Sequence, residues 1–153
     1  MFNRNVVMVA MISLLCSITV AGAEQRATKK EAEAMVKKAV AAYKAGGESV
    51  LADFTAPGKK FVNKDLYIVV YDITGKCLAH GQNAKQVGKE LIGMKDPDGK
   101  AFVKERVELA KSKGTFWQDY KFTDPLTKKV LAKQMYCEKA DDKVIVCGGV
   151  YKE

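Results

Sequence analysis

Residues 65–81, DLYIVVYDITGKCLAHG, decide the fold of this 153-residue chain. Residues 66–71 are all apolar or aromatic, mostly β-branched or aromatic, which predicts a strand buried on both faces. The DITG turn at residues 72–75 follows, because its aspartate can bond the local backbone and its glycine accepts a positive φ. Residues 76–80 return as a second strand that ends at His80, the only histidine. The stretch predicts a β-hairpin, one face of which the later residues cover.

The segment before the hairpin carries the signals of an amphipathic helix. Thr28 and Glu31 fit a capping box, with a threonine at the cap and a glutamate three residues on. Apolar residues then recur at three- and four-residue spacing: Ala32, Met35, Val36, Ala39, Val40 and Tyr43. The glycines at residues 46–47 end the pattern, as glycine commonly does past a last helical turn. A long N-terminal helix is therefore predicted, followed by a short second helix over residues 48–54.

The chain after the hairpin predicts a helical connection and then further strands. The connection spans residues 82–112. Within it, four apolar residues are expected to pack as a short helical segment: Val87, Leu91, Ile92 and Met94. A better helix is predicted over residues 101–112, where apolar residues recur and Lys-Gly follows. The remaining strands are predicted at residues 115–122, 130–138 and 143–151.

This element order predicts an α+β fold. It contains a five-stranded antiparallel sheet, a long N-terminal helix and a helical connection covering one face. The helices are expected together on that one face. A small cavity between the connection and the sheet is a natural ligand site, because ligand sites are concave and few.

The first residues of the chain predict export. Arg4 precedes the uncharged apolar run of residues 6–20, and small residues follow it up to Ala23. This pattern is typical of a secretory signal peptide over residues 1–23, cleaved after Ala23, although retention as an anchor stays open. One domain is predicted over residues 24–153, since 48% hydrophobic and 29% charged residues are a globular composition.

The positive charge of the chain does not predict a nucleic-acid partner. The whole chain carries a net charge of +8. Its lysines are spread along the sequence, without a dense basic tract or an aromatic ladder among them. A solvated lysine-rich surface explains this pattern better than a site for nucleic acid.

Three cysteines remain after removal of the predicted signal peptide. Cys137 and Cys147 lie on the two arms of the last hairpin, and they face each other if the loop is residues 141–143. A two-residue loop would place Tyr136 opposite Cys147 instead, so the disulfide depends on the register. Cys77 is the expected free thiol. The absence of a CxxC motif and the single histidine argue against a zinc site, and no cofactor is predicted.

Five motifs follow one another along the chain: DLYxxVYD at residues 65–72, LAH at 78–80, KDPDGKxF at 95–102, GxxWxDY at 114–120 and GxYK at 149–152. Through these motifs, the sequence from about Ala32 to Lys152 resembles the single Cache domain of bacterial extracytoplasmic sensors. The resemblance implies a PAS-like sheet, a periplasmic location and a pocket for a small solute, often a short organic acid. Only Glu153 follows the last motif, so the domain is expected to be free-standing and to act through a membrane sensor partner.

Lys133 is the most informative candidate site residue. Alternation along residues 130–138 places it in a row with Leu131, Met135 and Cys137. A lysine in an apolar row invites an anionic partner, because an unpaired buried ammonium costs several kcal/mol. The alternative is an edge-strand lysine that reaches water. The resemblance, which places this lysine near the family's pocket, favours carboxylate binding.

The other candidate ligand residues depend more on the resemblance. The family motif places His80 at the pocket mouth as a hydrogen-bond donor, although an ordinary surface or core histidine is the alternative. Trp117 and Tyr120 face opposite ways on an ideal strand, so both line one cavity only if a bulge intervenes. The remaining candidates are aromatic: Tyr67, Phe102 and Tyr136. A tyrosine hydroxyl on an apolar ring suits a small organic acid.

The expected function is binding of a small carboxylate, such as acetate, propionate, pyruvate or lactate. One alternative is an interaction or structural protein whose Cache-like fold binds no solute. Another is a small enzyme using a cysteine, but no catalytic motif stands out, and the chain is not predicted to be an enzyme. The DPDG sequence at residues 96–99 is interpreted as a turn and not a calcium loop. The alanine-rich stripe of the first helix suggests a homodimer.

Overall fold

The computed structural model describes residues 26–56 and 60–152 of the chain. The predicted signal peptide, residues 1–23, lies outside the described residues. Two α-helices and six strands follow in chain order: α1 (Lys29–Gly46), β1 (Val62–Asn63), β2 (Leu66–Asp72), β3 (Cys77–His80), α2 (Phe102–Lys113), β4 (Thr115–Thr123), β5 (Val130–Lys139) and β6 (Val144–Tyr151). Two 3₁₀ helices, Gly47–Phe54 and Ala84–Gln86, lie between them.

Helix α1 begins and ends where the sequence predicts. The Thr28 backbone N–H donates to the Glu31 carboxylate at 2.6 Å, and the Thr28 hydroxyl accepts from the Glu31 N–H at 3.2 Å. This is the predicted capping box. Gly47, with φ of 60°, terminates the helix. Among the residues that the structure describes, no helix has the length and apolar character needed to cross a membrane.

The strands form one antiparallel sheet in the order β1-β2-β6-β5-β4, with β3 also pairing with β2. The sequence predicted five strands, and the sixth is β1. This strand has two residues and returns through Lys64, which has φ of 58°. Two residues are too few to show the alternation by which a strand is recognised. The predicted antiparallel α+β architecture is otherwise confirmed.

The two helices lie on opposite faces of the sheet. Helix α1 covers the α1 face, defined by Ile68, Val70 and Val146. Helix α2 and residues 81–101 cover the cavity face, defined by Tyr67, Val69 and Tyr71. The expectation that the helices share one face is wrong. The side chains of residues 66–71 in β2 point alternately to the two faces of the sheet, and all of them are buried. Other segments of the chain must therefore cover both faces.

The connection after β3 consists of one short 3₁₀ helix, turns and irregular segments, and the predicted helical segment around residues 87–94 is wrong. Its backbone pairs with the hairpin: the Cys77 N–H donates to the Lys89 carbonyl at 2.9 Å, and the Leu91 N–H to the Gly75 carbonyl at 2.9 Å. The Gly88 N–H donates to the Cys77 carbonyl at 2.8 Å. Backbone groups used in this way are not available for helical hydrogen bonds.

The last hairpin adopts the first of the two registers considered. Cys137 pairs with Cys147, and the Ala140 N–H donates to the Val144 carbonyl at 2.9 Å across a loop of residues 141–143. The structure joins the two cysteines in a disulfide. Cys77 is a free and buried thiol.

Candidate functional site

Lys133 lies on the cavity face and is completely buried. Its Nζ donates hydrogen bonds to the hydroxyl oxygens of Tyr67, at 3.0 Å, and Tyr151, at 3.3 Å. It also lies 4.1 Å from the centre of the Tyr67 ring and 4.6 Å from that of Tyr151. The Tyr151 hydroxyl in turn donates to the Thr123 carbonyl at 2.6 Å, which fixes its oxygen as an acceptor for the lysine. The side chain therefore points into the protein and does not reach water.

The Lys133 ammonium has no carboxylate partner among residues 26–56 and 60–152. Asp65 and Asp124 act on it through their charge, but both bind Arg26, at 3.4 Å and 3.0 Å. Burial and the positive charge of Arg106 lower the pKa of Lys133 from 10.5 to about 7. The lowered pKa is the expected response of an ammonium that is desolvated without a counter-ion.

Arg106 is a second buried cation, and the sequence analysis missed it. Its Nε donates to the Gln118 side-chain oxygen at 3.0 Å, and its Nη1 to the Tyr71 hydroxyl at 3.0 Å. Its Nη2 is buried and has no hydrogen-bond partner among the described residues. The available signal was its position on α2, four residues after Phe102 and one before Val107, within the apolar stripe of the helix. When the apolar stripe of a helix packs against a sheet, a charged residue within that stripe is buried with it.

Aromatic rings enclose a small cavity on the cavity face. This inner cavity has a volume of about 10 Å³. Its aromatic walls are Tyr67, Tyr71, His80, Phe102, Tyr120 and Phe122. Rings contacted by Lys133 and rings contacted by Arg106 both belong to these walls. A volume of this size holds about one water molecule, so a larger ligand requires the walls to move.

A larger outer cavity adjoins the inner cavity. It has a volume of about 230 Å³ and lies between residues 82–86 and residues 122–128. The two cavities share four wall residues: Tyr67, His80, Gln86 and Phe122. The two cavities therefore lie next to each other, with these four side chains between them.

His80 stands at the wall between the two cavities and is 5% exposed. Its Nδ1 accepts the backbone N–H groups of Gln82, at 3.3 Å, and Asn83, at 3.1 Å. Burial and the nearby Lys133 charge lower the pKa of His80 from 6.5 to about 4. The imidazole is therefore neutral at pH 7, with its proton on Nε2, and acts as a hydrogen-bond donor.

The structure brings together some of the candidate residues and separates others. His80, Tyr67, Phe102 and Tyr120 line the inner cavity, with Lys133 against Tyr67. Trp117 and Tyr136 lie on the α1 face, with ring centres 5.2 Å apart. The Trp117 Nε1 donates to Glu33 of α1 at 3.3 Å, and the Tyr136 hydroxyl to Glu138 at 2.5 Å.

The register of β4 explains this separation. Trp117 pairs with Tyr136 and Tyr120 pairs with Lys133, in a ladder that runs without a shift from Thr115 to Thr123. No bulge therefore reverses the alternation of side chains between Trp117 and Tyr120. Trp117 and Tyr136 cannot reach the inner cavity while this ladder persists.

The antiparallel sheet, the long helix on one face and the aromatic cavity under a connection on the other define a PAS-like sensor domain. The chain belongs to the family Single Cache domain 2, whose sequence model matches residues 4–153. The resemblance stated from the motifs is thereby confirmed. Cache domains are extracytoplasmic sensory domains, of the kind found in chemoreceptors and histidine kinases.

Solved structures of Cache domains share the fold. A Cache chemosensory domain solved for the structural basis of carboxylic acid recognition superposes with a TM-score of 0.68 at 22% identity, covering 81% of this chain and 92% of that one. A methyl-accepting chemotaxis protein from Vibrio parahaemolyticus gives 0.67 at 21% identity, covering 80% of this chain and 87% of the other. A periplasmic sensor domain of a chemotaxis protein gives 0.63 at 23% identity, with coverages of 81% and 90%.

A sequence relative is part of a sensor histidine kinase. The sensor histidine kinase MctS of Rhizobium johnstonii is 33% identical over 89 residues, which are 58% of this chain. The chain spans 19% of the length of that kinase. The matched part is thus one segment of a much longer protein.

Proposed function

We propose that this chain is a sensor module that binds a small carboxylate, such as acetate, propionate, pyruvate or lactate, in the inner cavity. The observation that carries the proposal is the Lys133 ammonium, completely buried with only phenolic oxygens as hydrogen-bond acceptors. A ligand carboxylate supplies the counter-charge that the described residues do not. Hydrogen bonds between an ammonium and a carboxylate are short and about twice as strong as neutral ones.

The surrounding residues have distinct roles in this proposal. Tyr67 and Tyr151 orient the lysine, and the Nε2–H of His80 donates to the ligand. Phe102 and Tyr120, with ring centres 4.6 Å apart, form a dry wall for the ligand's carbon atoms. The fold shared with a Cache domain studied for carboxylic acid recognition is consistent with this class of ligand.

The ligand makes room by displacing flexible side chains. Gln86, Met94 and Met135 line the inner cavity and are unbranched. Unbranched side chains, and methionine above all, repack at low cost. Entry through the outer cavity requires only that Gln86 and the shared aromatic wall move.

The proposed activity is reversible binding of the ligand, without a catalysed reaction. Burial raises the pKa of the Cys77 thiol to about 11, so little reactive thiolate is present at neutral pH. The other two cysteines of the domain are joined to each other. The three cysteines of residues 60–152 therefore supply no activated thiolate to the proposed binding site.

The proposed setting is the periplasm, after removal of residues 1–23, with a membrane sensor as the protein partner. The proposed homodimer uses the outer side of α1. Ala32 and Ala39 are completely buried against the chain's own sheet, whereas Ala34 and Ala41 are not. Only the outer alanines are available to a second copy.

Titration of the mature protein, residues 24–153, tests the proposal. Binding of acetate, propionate, pyruvate and lactate is measured by calorimetry and by the rise in melting temperature. Lys133→Gln is expected to weaken binding by about tenfold or more, because one charge-assisted hydrogen bond is lost. Lys111→Gln, which removes a charge from the exposed side of α2, is the matched control and leaves binding unchanged. The proposal is wrong if none of these acids binds the wild-type protein.

A Cache-fold interaction protein without a solute ligand is the second candidate. The small inner cavity, about 10 Å³, and the close stacking of Phe102 on Tyr120 favour it. It predicts that the melting temperature is insensitive to all small acids, and that Lys133→Met raises stability without any loss of function.

A further inference from the structure

Arg106 presents a buried positive charge that forms no ion pair with any described residue. Its side chain is 0% exposed, and an arginine cannot lose its proton in a protein. Glu105, the acidic residue next to it in sequence, is half-buried and binds Lys100 at 2.8 Å and the Gln118 amide at 2.6 Å. The Nη2 group keeps its hydrogens without an acceptor among the described residues. A buried charge in this condition costs several kcal/mol.

Arg106 and Lys133 both pack on the aromatic walls of the inner cavity. The guanidinium lies 5.0 Å from the centre of the Tyr120 ring and 5.2 Å from that of Tyr71. The ammonium lies 4.1 Å from the centre of the Tyr67 ring. All three rings are walls of the inner cavity, so both cations lie directly behind those walls.

The sheet places the anchors of the two cations close together. Arg106 binds the side chain of Gln118, which pairs with Met135. Met135 is two residues along β5 from Lys133, a backbone step of about 7 Å. The positive charge of Arg106 also acts on Lys133 and lowers its pKa, so the two cations are near neighbours.

We propose that the inner cavity binds a short dicarboxylate of three or four carbons, with one carboxylate at Lys133 and the other at Arg106. The inference rests on the proposed function, because it assumes that a carboxylate binds at Lys133. The inference adds Arg106 as a second positive charge, which would favour dicarboxylates over monocarboxylates. A monocarboxylate at Lys133 leaves Arg106 unpaired, whereas a dicarboxylate neutralises both cations.

The described acidic residues do not offer a competing explanation. Asp65 and Asp124 are buried, but their oxygens bind Arg26 and backbone or hydroxyl donors of neighbouring segments. Neither forms an ion pair with Lys133 or Arg106 among residues 26–56 and 60–152. Glu105 acts on Arg106 through its charge, but its carboxylate binds Lys100 and Gln118 and forms no ion pair with the guanidinium. A ligand carboxylate would supply the direct partner that Arg106 lacks among the described residues.

Acids matched in chain length test the inference. Malonate is compared with propionate, and succinate with butyrate, by calorimetry on the mature chain. The wild-type protein is expected to bind each dicarboxylate about tenfold or more tightly than its partner, as one additional charge-assisted interaction implies. Arg106→Gln is expected to abolish this preference while it retains binding of propionate. Arg106→Lys, which keeps the charge, is expected to restore part of the preference.

The outcomes separate this inference from the proposed function. If propionate binds through Lys133 and malonate binds no more tightly, the inference is overturned and the proposed function stands. If no acid binds the wild-type protein, both are overturned. If Arg106→Gln keeps the dicarboxylate preference, Arg106 is not the second contact and the inference is overturned. Should that variant not fold, Tyr71→Phe, which removes only the hydroxyl at 3.0 Å from Nη1, replaces it and is expected to reduce the preference.

Discussion

The two faces of the sheet differ in the chemical character of their completely buried side chains. On the α1 face, the completely buried side chains are apolar, as in Val36, Ile68 and Val146. On the cavity face, Lys133 and Arg106 are just as buried and carry charge. Apolar burial stabilises the fold, whereas burial of an unpaired charge opposes it. This contrast supports the proposal that the α1 face serves stability and the cavity face serves binding.

The difference also appears in how polar groups are satisfied. The indole N–H of Trp117 on the α1 face has a carboxylate acceptor at 3.3 Å. On the cavity face, the Nη2 of Arg106 has no acceptor among the described residues. An unsatisfied buried donor beside a cavity points to a ligand more strongly than the cavity volume does.

The largest expected effect comes from a truncation on the α1 face. Ile68→Ala is expected to lower the free energy of unfolding by about 3 kcal/mol, because it removes buried methyl groups and leaves a cavity. Ligand affinity should not change, since the side chain points away from the inner cavity. Urea denaturation and calorimetry measure the two quantities. A loss of affinity comparable to the loss of stability would break the assignment of the two faces.

The reverse result is expected on the cavity face. Lys133→Met keeps an unbranched side chain and removes the buried charge, so the free energy of unfolding should rise by about 1–2 kcal/mol. Binding of every carboxylate should be lost. The same denaturation and titration measurements apply. A clear loss of stability would mean that Lys133 holds the fold together and is not kept for a ligand.

A smaller effect is expected from pH, and its sign follows from the lowered pKa of Lys133, about 7 in the fold and 10.5 as the reference. Between these values the unfolded chain holds a proton that the folded chain has released, so stability should rise with pH in this window. Carboxylate binding needs the ammonium, so affinity should fall above pH 7 by up to about tenfold for each pH unit.

Other groups of the cavity do not obscure this measurement. His80, with its pKa lowered to about 4, stays neutral from pH 6 to 9. Cys77, with its pKa raised to about 11, stays protonated there. Calorimetric titrations over that range, with Lys133→Gln as the variant that should lose the trend, measure the effect. A wild-type affinity that is flat from pH 6 to 9 would contradict it.

The smallest effect is expected at the start of α1. Thr28→Ala removes the hydroxyl acceptor of the capping box and should cost about 1 kcal/mol of unfolding free energy. Ser112→Ala is the matched control, because that hydroxyl bonds only the last turn of α2 and is exposed. Its effect should stay within about 0.5 kcal/mol. Equal effects of the two variants would show that the cap of α1 is unimportant for stability.

Local patterns were sufficient for some elements of the fold. The capping box, the hairpin of β2 and β3, and α2 all follow from signals within a few residues of each other. The irregular form of the connection was missed because its backbone pairs with Gly75 and Cys77, more than ten residues earlier. Its apolar residues follow a helical spacing, but this distant pairing overrides it.

The sequence by itself determined that Lys133 stands in an apolar row and that residues 66–71 are buried on both faces. Only the tertiary structure decided that the lysine meets the Tyr67 hydroxyl, 66 residues away, and that Arg106 packs on the Tyr120 ring in the wall of the same cavity. It also turned Trp117 and Tyr136 to the α1 face. The physical reason is that the alternation of side chains between the two faces of a strand is a local property. The counter-charge of a buried cation depends instead on every segment packed around it.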